Sequence, residues 1–193
     1  MLMIHDISKE LFSAEVYPGD FVPVHERLAS IDDGSLYNLS HIELGSHSGT
    51  HIDAPLHFVA GGTDISGIDL AKCYGECLVV TIPGCVRVAD AGQLISANPG
   101  LKRVIFRGGP DLEPSACRFM IDSGIVLVGT DAMSVEYEGA PKPVHDILLG
   151  GGAVILENVV LDGVDDGKYI LSCLPVKMEG LDGSPVRAVL IDI

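Results

Sequence analysis

The sequence predicts a mixed α/β or α+β fold with a substantial mixed β-sheet, because short strand-like runs alternate with a few short helical stretches. Gly, Pro and Asp separate the runs, as is typical of turns between short strands. The predicted strands span residues 36–44, 76–82, 103–107, 125–129, 153–161 and 186–193. The predicted helices span residues 68–72, 89–96, 113–123 and 143–149.

Proline and glycine indicate where two of these helices begin and end. Pro114 stands in the first turn of the third helix, where its missing N–H costs no hydrogen bond. Pro143 opens the fourth helix, and a triple glycine beginning at Gly150 ends it. Because the chain has 193 residues and no internal repeat, low-complexity tract or linker, we expect a single domain over residues 1–193.

The composition excludes several classes of protein. Hydrophobic residues make up 47% and charged residues 20% of the chain, which is typical of a globular protein. No apolar stretch approaches the roughly 18 residues of a membrane helix, and the first residues do not resemble a signal peptide. The formal net charge of −15 disfavours nucleic acid and anionic membranes as partners. We therefore expect a cytoplasmic protein that acts on a small-molecule substrate.

The five cysteines do not form a recognisable framework. Their number is odd, and although Cys73 and Cys77 are four residues apart, no second Cys/His pair completes a zinc finger. We interpret them as free, mostly buried thiols in a reducing compartment.

A run rich in histidine at residues 47–58 is the strongest indication of function. Its four candidate ligands are all at odd-numbered positions: His47, His51, Asp53 and His57. An extended backbone points such residues to one side, and Gly49 and Pro55 argue against a helix. A straight strand would separate alternate side chains by about 6.6 Å, so we expect the segment to bend at this glycine and proline. Imidazole with carboxylate and without thiolate is the ligand set of a hydrolytic zinc or manganese site.

A structural interpretation of these histidines competes with the metal site. A single histidine on an apolar face is usually a hydrogen-bonded core residue. However, small residues stand between these histidines, among them Ser48, Gly49 and Ala54. Small residues allow a backbone to approach a ligand closely, whereas a core strand would fill the same positions with bulky side chains. The cluster as a whole therefore favours metal binding.

Acidic residues lie within or directly after two strands that the sequence predicts to be buried. Asp131 follows the strand 125–129, where it is either part of a site at the carboxyl edge of the sheet or the cap of a turn. Glu157 stands in the middle of an apolar strand, and an ionised carboxylate there requires a partner such as a metal ion or an arginine. His145 lies twelve residues before Glu157 and offers a second His/carboxylate pair.

The run His-Ser-Gly-Thr-His-Ile-Asp-Ala-Pro-Leu-His-Phe resembles the His-x-Gly-Thr-His-x-Asp-x-Pro-x-His motif of the metal-dependent "putative cyclase" family, which includes bacterial kynurenine formamidase and isatin hydrolase. The resemblance runs nearly end to end. The other matching segments are Tyr17–Asp20, Gly129–Ser134, His145–Leu149, Leu156–Asn158, Leu174–Pro175 and Asp182–Arg187. It implies a swivelling β/β/α fold and a homodimer or higher homo-oligomer.

The resemblance also implies roles for the metal ligands. His47, His51 and Asp53 would hold one divalent ion, zinc or manganese. Asp53 would be shared with a second ion, held by His145 and Glu157.

The same resemblance implies roles for His57 and Tyr17. His57 would be the acid/base residue and not a ligand. Tyr17 would contact the substrate, at a position where the kynurenine formamidases carry tryptophan. The function implied is hydrolysis of a C–N bond in a small aryl-formamide or cyclic amide. Two alternatives stay open: a catalytically silent protein that binds metal or a small acid, and a lactone or ester hydrolase that uses the same site.

Overall fold

The computed structural model of the protein describes residues 3–136 and 143–193. The strands of these ranges are β1 (Ile4–Asp6), β2 (Val24–Ala29), β3 (Leu39–Glu43), β4 (His51–Asp53), β5 (Tyr74–Thr81), β6 (Cys85–Val86), β7 (Arg103–Arg107), β8 (Asp111–Leu112), β9 (Leu127–Thr130), β10 (Val154–Glu157), β11 (Gly167–Ser172), β12 (Gly183–Pro185) and β13 (Val189–Asp192). The α-helices are α1 (Val88–Ala97), α2 (Pro114–Asp122) and α3 (Pro143–Gly150).

Nine of the strands form one mixed sheet in the order β1-β13-β11-β5-β7-β9-β10-β4-β12. The four central strands, β5, β7, β9 and β10, run parallel to one another, and the flanking strands pair antiparallel. Pro185 lies in the edge strand β12, where a residue without an N–H leaves no central hydrogen bond unmade. The mixed α/β fold class predicted from the sequence is confirmed, whereas the single domain over residues 1–193 stays a prediction.

The sheet curls until its first strand approaches the chain that follows β10. Ser8 forms an isolated antiparallel bridge with Val159, and the Val160 N–H donates to the Ile7 carbonyl over 2.9 Å. The Lys9 N–H donates to the Thr50 hydroxyl, just before β4, over 2.8 Å. The curl therefore brings the N-terminal segment beside β4 and β10, which carry the candidate ligands.

The central strands are buried on both faces, as parallel strands usually are. Along β7, Ile105 belongs to a core inside the curl, whereas Val104 and Phe106 belong to a second core under the helices. The helices contribute Ala91, Cys117 and Leu148 to this second core. The helices therefore cover one face of the parallel strands, and the core inside the curl covers the other face.

Strand pairing sets the candidate ligands beside one another. In the register between β10 and β4, Glu157 is opposite His51 and Ile155 is opposite Asp53. On the other side of β4, Gly183 is opposite Asp53. A Cβ at Gly183 would lie 2.7 Å from the Cε1 atom of His47, so a glycine is needed for this ring to pack over the strand.

Several predicted elements differ from the observed ones. Residues 68–72 form only a 3₁₀ turn, Leu70–Lys72, instead of a helix. The strand predicted over 153–161 ends at Glu157, because Asn158 adopts a left-handed φ of 62°. The strand β11 (Gly167–Ser172) was not predicted. Among the described residues no helix is long and apolar enough to cross a membrane.

Candidate metal centre

The structure gathers the six candidate metal and acid/base residues at one end of the curled sheet. His51 and Asp53 lie on β4, and Glu157 ends β10. His145 lies near the start of α3. The other two flank β4: His47 precedes it, and His57 closes the 3₁₀ turn Pro55–His57 that follows it. The predicted bend therefore occurs, with Gly49 at a positive φ of 62° before β4.

Asp53 lies at the centre of the cluster and has no exposed surface. Its Oδ1 atom is 2.8 Å from His47 Nδ1 and 3.4 Å from His51 Nε2. Its Oδ2 atom is 3.7 Å from His145 Nε2, and within the described ranges this atom is buried without a hydrogen-bond partner. A buried carboxylate oxygen that lacks a donor is costly, and a cation at this point would satisfy it.

Glu157 is partnered by imidazoles and a backbone amide. Its Oε2 atom is 3.4 Å from His51 Nε2, and its Oε1 atom is 3.4 Å from His145 Nε2. Oε1 also accepts a hydrogen bond of 2.8 Å from the Val135 N–H. Of the two partners anticipated for this carboxylate, a metal ion fits these surroundings, and no arginine of the described chain contacts it.

Two of the histidines are oriented so that Nε2 faces the carboxylates. His51 Nδ1 donates to the Gly49 carbonyl over 2.8 Å. His145 Nδ1 donates to the Glu136 carboxylate over 2.7 Å. Partners of this kind fix the tautomer and orientation of metal-binding histidines. The lone pair of each Nε2 is thereby directed at the centre of the cluster.

Asp182 was not identified from the sequence as a site residue, but it joins two of the histidines. Its Oδ2 atom is 3.1 Å from both His47 Nε2 and His57 Nδ1. Its Oδ1 atom accepts from the Ser46 hydroxyl over 2.8 Å. Asp182 precedes the edge strand β12 and is far from the histidines in sequence, so no local spacing reveals it. The hydrogen bonds from His47 and Ser46 outweigh burial and lower the pKa of Asp182 to about 2.

The ligand atoms form two groups that share Asp53. One comprises His47, Asp53 and His57, the other His51, Asp53 and Glu157, with all ligand atoms of a group within 4.8 Å of one another. This grouping differs from the one implied by family resemblance, which places His51 with His47 and leaves His57 free. The assignment of ligands to ions therefore stays a prediction.

The buried carboxylates favour the protonated forms of His51 and His145. Burial by itself lowers the pKa of His51, but hydrogen bonds to Asp53 and Glu157 outweigh burial and raise it to about 10. The pKa of His145 is also raised, because Glu157 and Glu136 outweigh burial. Burial raises the pKa of Asp53, but the neighbouring imidazoles lower it below its usual range. Burial lowers the pKa of His57, whose carboxylate neighbours compensate only in part.

The cluster opens into a cavity of ≈ 310 Å³. The lining residues are Tyr17, Asp20, His47, His51, His57, Met133, Ser134, His145, Glu157, Asn158 and Asp182. A second cavity of ≈ 320 Å³ shares Tyr17, Met133 and Ser134 with the first. Tyr17 therefore stands where the two cavities meet. Asp53 does not line the cavity but lies beneath the histidines.

Asp131 has a structural role in this arrangement. Its two carboxylate oxygens accept hydrogen bonds of 2.9 Å from the N–H groups of Gly108 and Gly109. The residue does not line the cavity of the cluster. Of the two interpretations left open by the sequence, the turn-holding one fits these contacts.

Histidine and carboxylate ligand atoms at the base of an open cavity define a candidate site of a metal-dependent hydrolase. The chain belongs to the family described as "Putative cyclase", whose sequence profile matches residues 5–137, and the resemblance inferred from the motifs is thereby confirmed. The kynurenine formamidase of Polaromonas naphthalenivorans (strain CJ2) is 35% identical over 205 residues, covering 100% of this chain and 92% of the relative.

Solved structures agree with this assignment. A potential metal-dependent hydrolase with cyclase activity has a TM-score of 0.81 at 26% identity, covering 100% of this chain and 99% of its own. Isatin hydrolase A from Labrenzia aggregata, bound to benzyl benzoate, has a TM-score of 0.83 at 23% identity, covering 99% and 94%. The second similarity shows that the fold is shared.

We predict that the folded protein binds Mn²⁺ or Zn²⁺ with an affinity that increases with pH well above neutrality. Ligation needs neutral imidazole, and the pKa of His51 in the ion-free protein is raised to about 10, so protons compete with the metal below that pH. Calorimetric titration with Mn²⁺ between about pH 6.5 and about pH 8.5, in buffers of different ionisation enthalpy, should show tighter binding at higher pH and proton release.

The matched control is Asp53→Asn, which keeps the shape of the side chain but removes the shared charge and should abolish binding. Binding that releases no protons, or that persists in this variant, would contradict the prediction.

Proposed function

We propose that this protein is a metal-dependent hydrolase that cleaves the C–N bond of a small aryl-formamide or cyclic amide, with zinc or manganese as its metal and two ions per subunit. The observation that carries the proposal is the buried Asp53 Oδ2 atom, which lacks a donor among the described residues while the Nε2 atoms of His51 and His145 face the carboxylates of Asp53 and Glu157. His47, His51, Asp53, His145 and Glu157 would hold the ions. When bound, such ions acidify water and polarise a carbonyl oxygen.

His57 is suited to move the proton to the leaving nitrogen. Its Nδ1 atom is held by Asp182 over 3.1 Å, and its ring lines the cavity. With Nδ1–H donating to the carboxylate, the Nε2 lone pair is available to accept a proton and return it. A carboxylate that orients a histidine in this way is a recurring feature of acid–base catalysis. A protein that only binds metal would have no use for an anchored histidine at this place.

A turnover screen tests the proposed function. The metal-loaded protein should hydrolyse at least one member of a panel of N-formyl arylamines, isatins and cyclic imides. Lactones belong in the panel, because an ester hydrolase would use the same site. Turnover of lactones alone would replace amide hydrolysis by ester hydrolysis. Metal binding without turnover of any compound would favour a silent binding protein.

We predict that His57→Ala lowers kcat by about 10²–10⁴-fold, the range expected when a general acid–base is lost, while metal content is retained. Elemental analysis after desalting measures metal content, and initial rates on the substrate found in the screen measure kcat. The matched control is His5→Ala, which removes a histidine paired with Asp192 and outside the lining of the cavity. Because the His57 ring lies within ligand distance of Asp53 and His47, loss of an ion in this variant would identify His57 as a ligand instead.

We predict that Tyr17 sets substrate preference. It is half-buried where the two cavities meet, and Pro18 fixes φ for the turn that presents it. A larger indole offers a wider stacking face, so Tyr17→Trp should raise turnover of formylkynurenine relative to the parent. Tyr74→Ala, on an exposed tyrosine of β5, serves as the control. Unchanged kinetics on every accepted substrate, in both Tyr17→Trp and Tyr17→Ala, would place the residue outside the substrate site.

The hairpin formed by β2 and β3 supports a homodimer. Within the part of the chain that the structure describes, these strands pair only with each other, and almost every residue of the two strands is exposed. The exposed apolar side chains of this segment are Phe21, Val22, Val24, Leu28, Ile31, Leu36, Tyr37, Leu39 and Ile42. An isolated two-stranded hairpin is marginally stable in water, and an apolar patch of this kind marks an interaction site.

A second copy of the chain is the partner that fits this hairpin. Glu26 and Arg27 on one strand, and His41 and Glu43 on the other, mix both signs of charge. A surface of mixed sign can pair with itself about a two-fold axis.

The free state of all five cysteines, four of them buried, supports a reducing, cytoplasmic location for the assembly.

We predict that the double variant Leu28→Glu/Leu36→Glu dissociates the dimer, because it places charge on apolar side chains that are 56% and 96% exposed in the single chain. Light scattering coupled to gel filtration measures the molar mass. Leu70→Glu, at an exposed leucine outside the hairpin, is the control and should leave the mass unchanged. A parent protein that is monomeric at micromolar concentration would refute the proposed dimer.

A further inference from the structure

Asn158, which follows the candidate ligand Glu157, has an unusual backbone conformation. Its φ is 62°, and it is the one non-glycine residue with positive φ among those described. Its side chain and backbone together are 2% exposed. Conformations of this kind cost free energy and cluster at functional sites, although asparagine tolerates them better than most residues.

The unusual φ determines where two consecutive side chains point. In a regular strand, Glu157 and Asn158 would face opposite sides of the sheet. Here the strand β10 ends at Glu157, and both residues line the same cavity. The left-handed turn at Asn158 therefore adds a carboxamide to a cavity that already holds the carboxylate of the preceding residue.

Hydrogen bonds fix the orientation of this carboxamide. The backbone N–H of Asn158 donates to the Ala132 carbonyl over 3.0 Å, and its carbonyl accepts from the Thr50 hydroxyl over 2.6 Å. The side-chain Oδ1 accepts from the Lys9 ammonium over 2.7 Å. Because an ammonium group only donates, the amide oxygen must face Lys9, and the NH₂ group must point away from it.

The NH₂ group makes no hydrogen bond to the described residues, and it is not among their fully buried polar atoms, so it keeps access to the cavity. A donor that faces a cavity can be satisfied by water or by a ligand. Since Asn158 lines the cavity, a group that enters the cavity is the remaining acceptor. A neutral donor of this kind suits a carbonyl oxygen.

We propose that Asn158 contacts the substrate, with its Nδ2–H donating a hydrogen bond to the carbonyl oxygen of the scissile amide, and that Lys9 is the positioning residue that holds the carboxamide in this orientation. The proposal rests on the proposed amide hydrolysis. The oxygen gains negative charge as the carbonyl carbon becomes tetrahedral, so the hydrogen bond strengthens in the transition state. The proton stays on Nδ2 throughout, and no covalent step involves this residue.

Two variants separate the donor from the backbone conformation. Asn158→Asp keeps the shape, the tolerance of positive φ and the acceptor for Lys9, but replaces NH₂ by oxygen. Asn158→Gly keeps the backbone conformation without strain and removes the whole side chain. Both should retain metal and lower kcat by about 10²–10³-fold, the effect of losing one such donor, with a much smaller change in KM.

A binding measurement provides a readout besides turnover. Benzamide, an uncharged compound with an amide carbonyl, should bind the metal-loaded Asn158→Gly protein about 5-fold more weakly than the parent, as expected for one neutral hydrogen bond. Calorimetry measures both affinities. Equal affinities, or no binding to the parent, would overturn the assignment. If the parent hydrolyses no amide but binds benzamide through Asn158, the proposed function fails while the contact stands.

Lys9 supplies the test of positioning. Lys9→Met should lower kcat by about 10-fold with metal content unchanged, and Lys9→Arg should restore part of the rate, because a cationic donor again faces Oδ1. The matched control is Lys72→Met, which removes an ammonium that donates to the Gly152 carbonyl, outside the cavity. A kcat within about 3-fold of the parent in both Asn158 variants, or loss of metal from them, would show a structural role and overturn the proposal.

Discussion

The burial of the Asp53 carboxylate is the constraint on which the rest of the site depends. Asp53 has no exposed surface and lies on β4, between β10 and β12. An ionised carboxylate at such a place costs several kcal/mol unless donors or a cation compensate it. His47 and His51 approach one of its oxygens, and His145 Nε2 lies 3.7 Å from the other. His47 and His51 are close to Asp53 in the sequence, but His145 is far from it. The sheet therefore has to curl, and α3 has to pack against it, before the charge of Asp53 is compensated.

The parallel centre of the sheet gives this cluster a rigid support. Glu157 stands at the carboxyl end of β10, and the segment that leaves the carboxyl end of β9 carries Ser134 and Glu136 along the two cavities. The carboxyl edge of parallel strands is the usual place for sites in α/β folds. Glu136 then orients His145. The segment therefore lines both cavities through Ser134 and orients the candidate ligand His145 through Glu136.

The local part of this arrangement could be predicted from the sequence, and the long-range part could not. The alternation of an extended strand accounts for His51 and Asp53 on β4, and Gly49 marks the predicted bend by its positive φ, whereas His47 lies in a turn before β4 and His57 in the 3₁₀ turn after it. The central strand β7 was predicted with its observed bounds, Arg103–Arg107, from the apolar β-branched and aromatic residues at its centre. Asp182 and Glu136 were missed, since they reach the histidines only through folding. The hairpin strand β3 lies within residues 36–44, which were predicted as a strand. The sequence of this segment does not indicate that both faces of the strand are exposed.

Both charged and neutral polar groups line the cavity. The carboxylates Asp53 and Glu157 favour the protonated forms of His51 and His145, because hydrogen bonds and charge at these carboxylates outweigh burial and raise the pKa of both histidines. Protons and a divalent cation therefore compete for the same lone pairs, and the net charge of −15 favours cations near the molecule. A further charged donor on the wall would compete with the cation for these carboxylates. The carboxamide of Asn158 adds an uncharged donor. The Lys9 ammonium orients this carboxamide by donating a hydrogen bond to its Oδ1 atom.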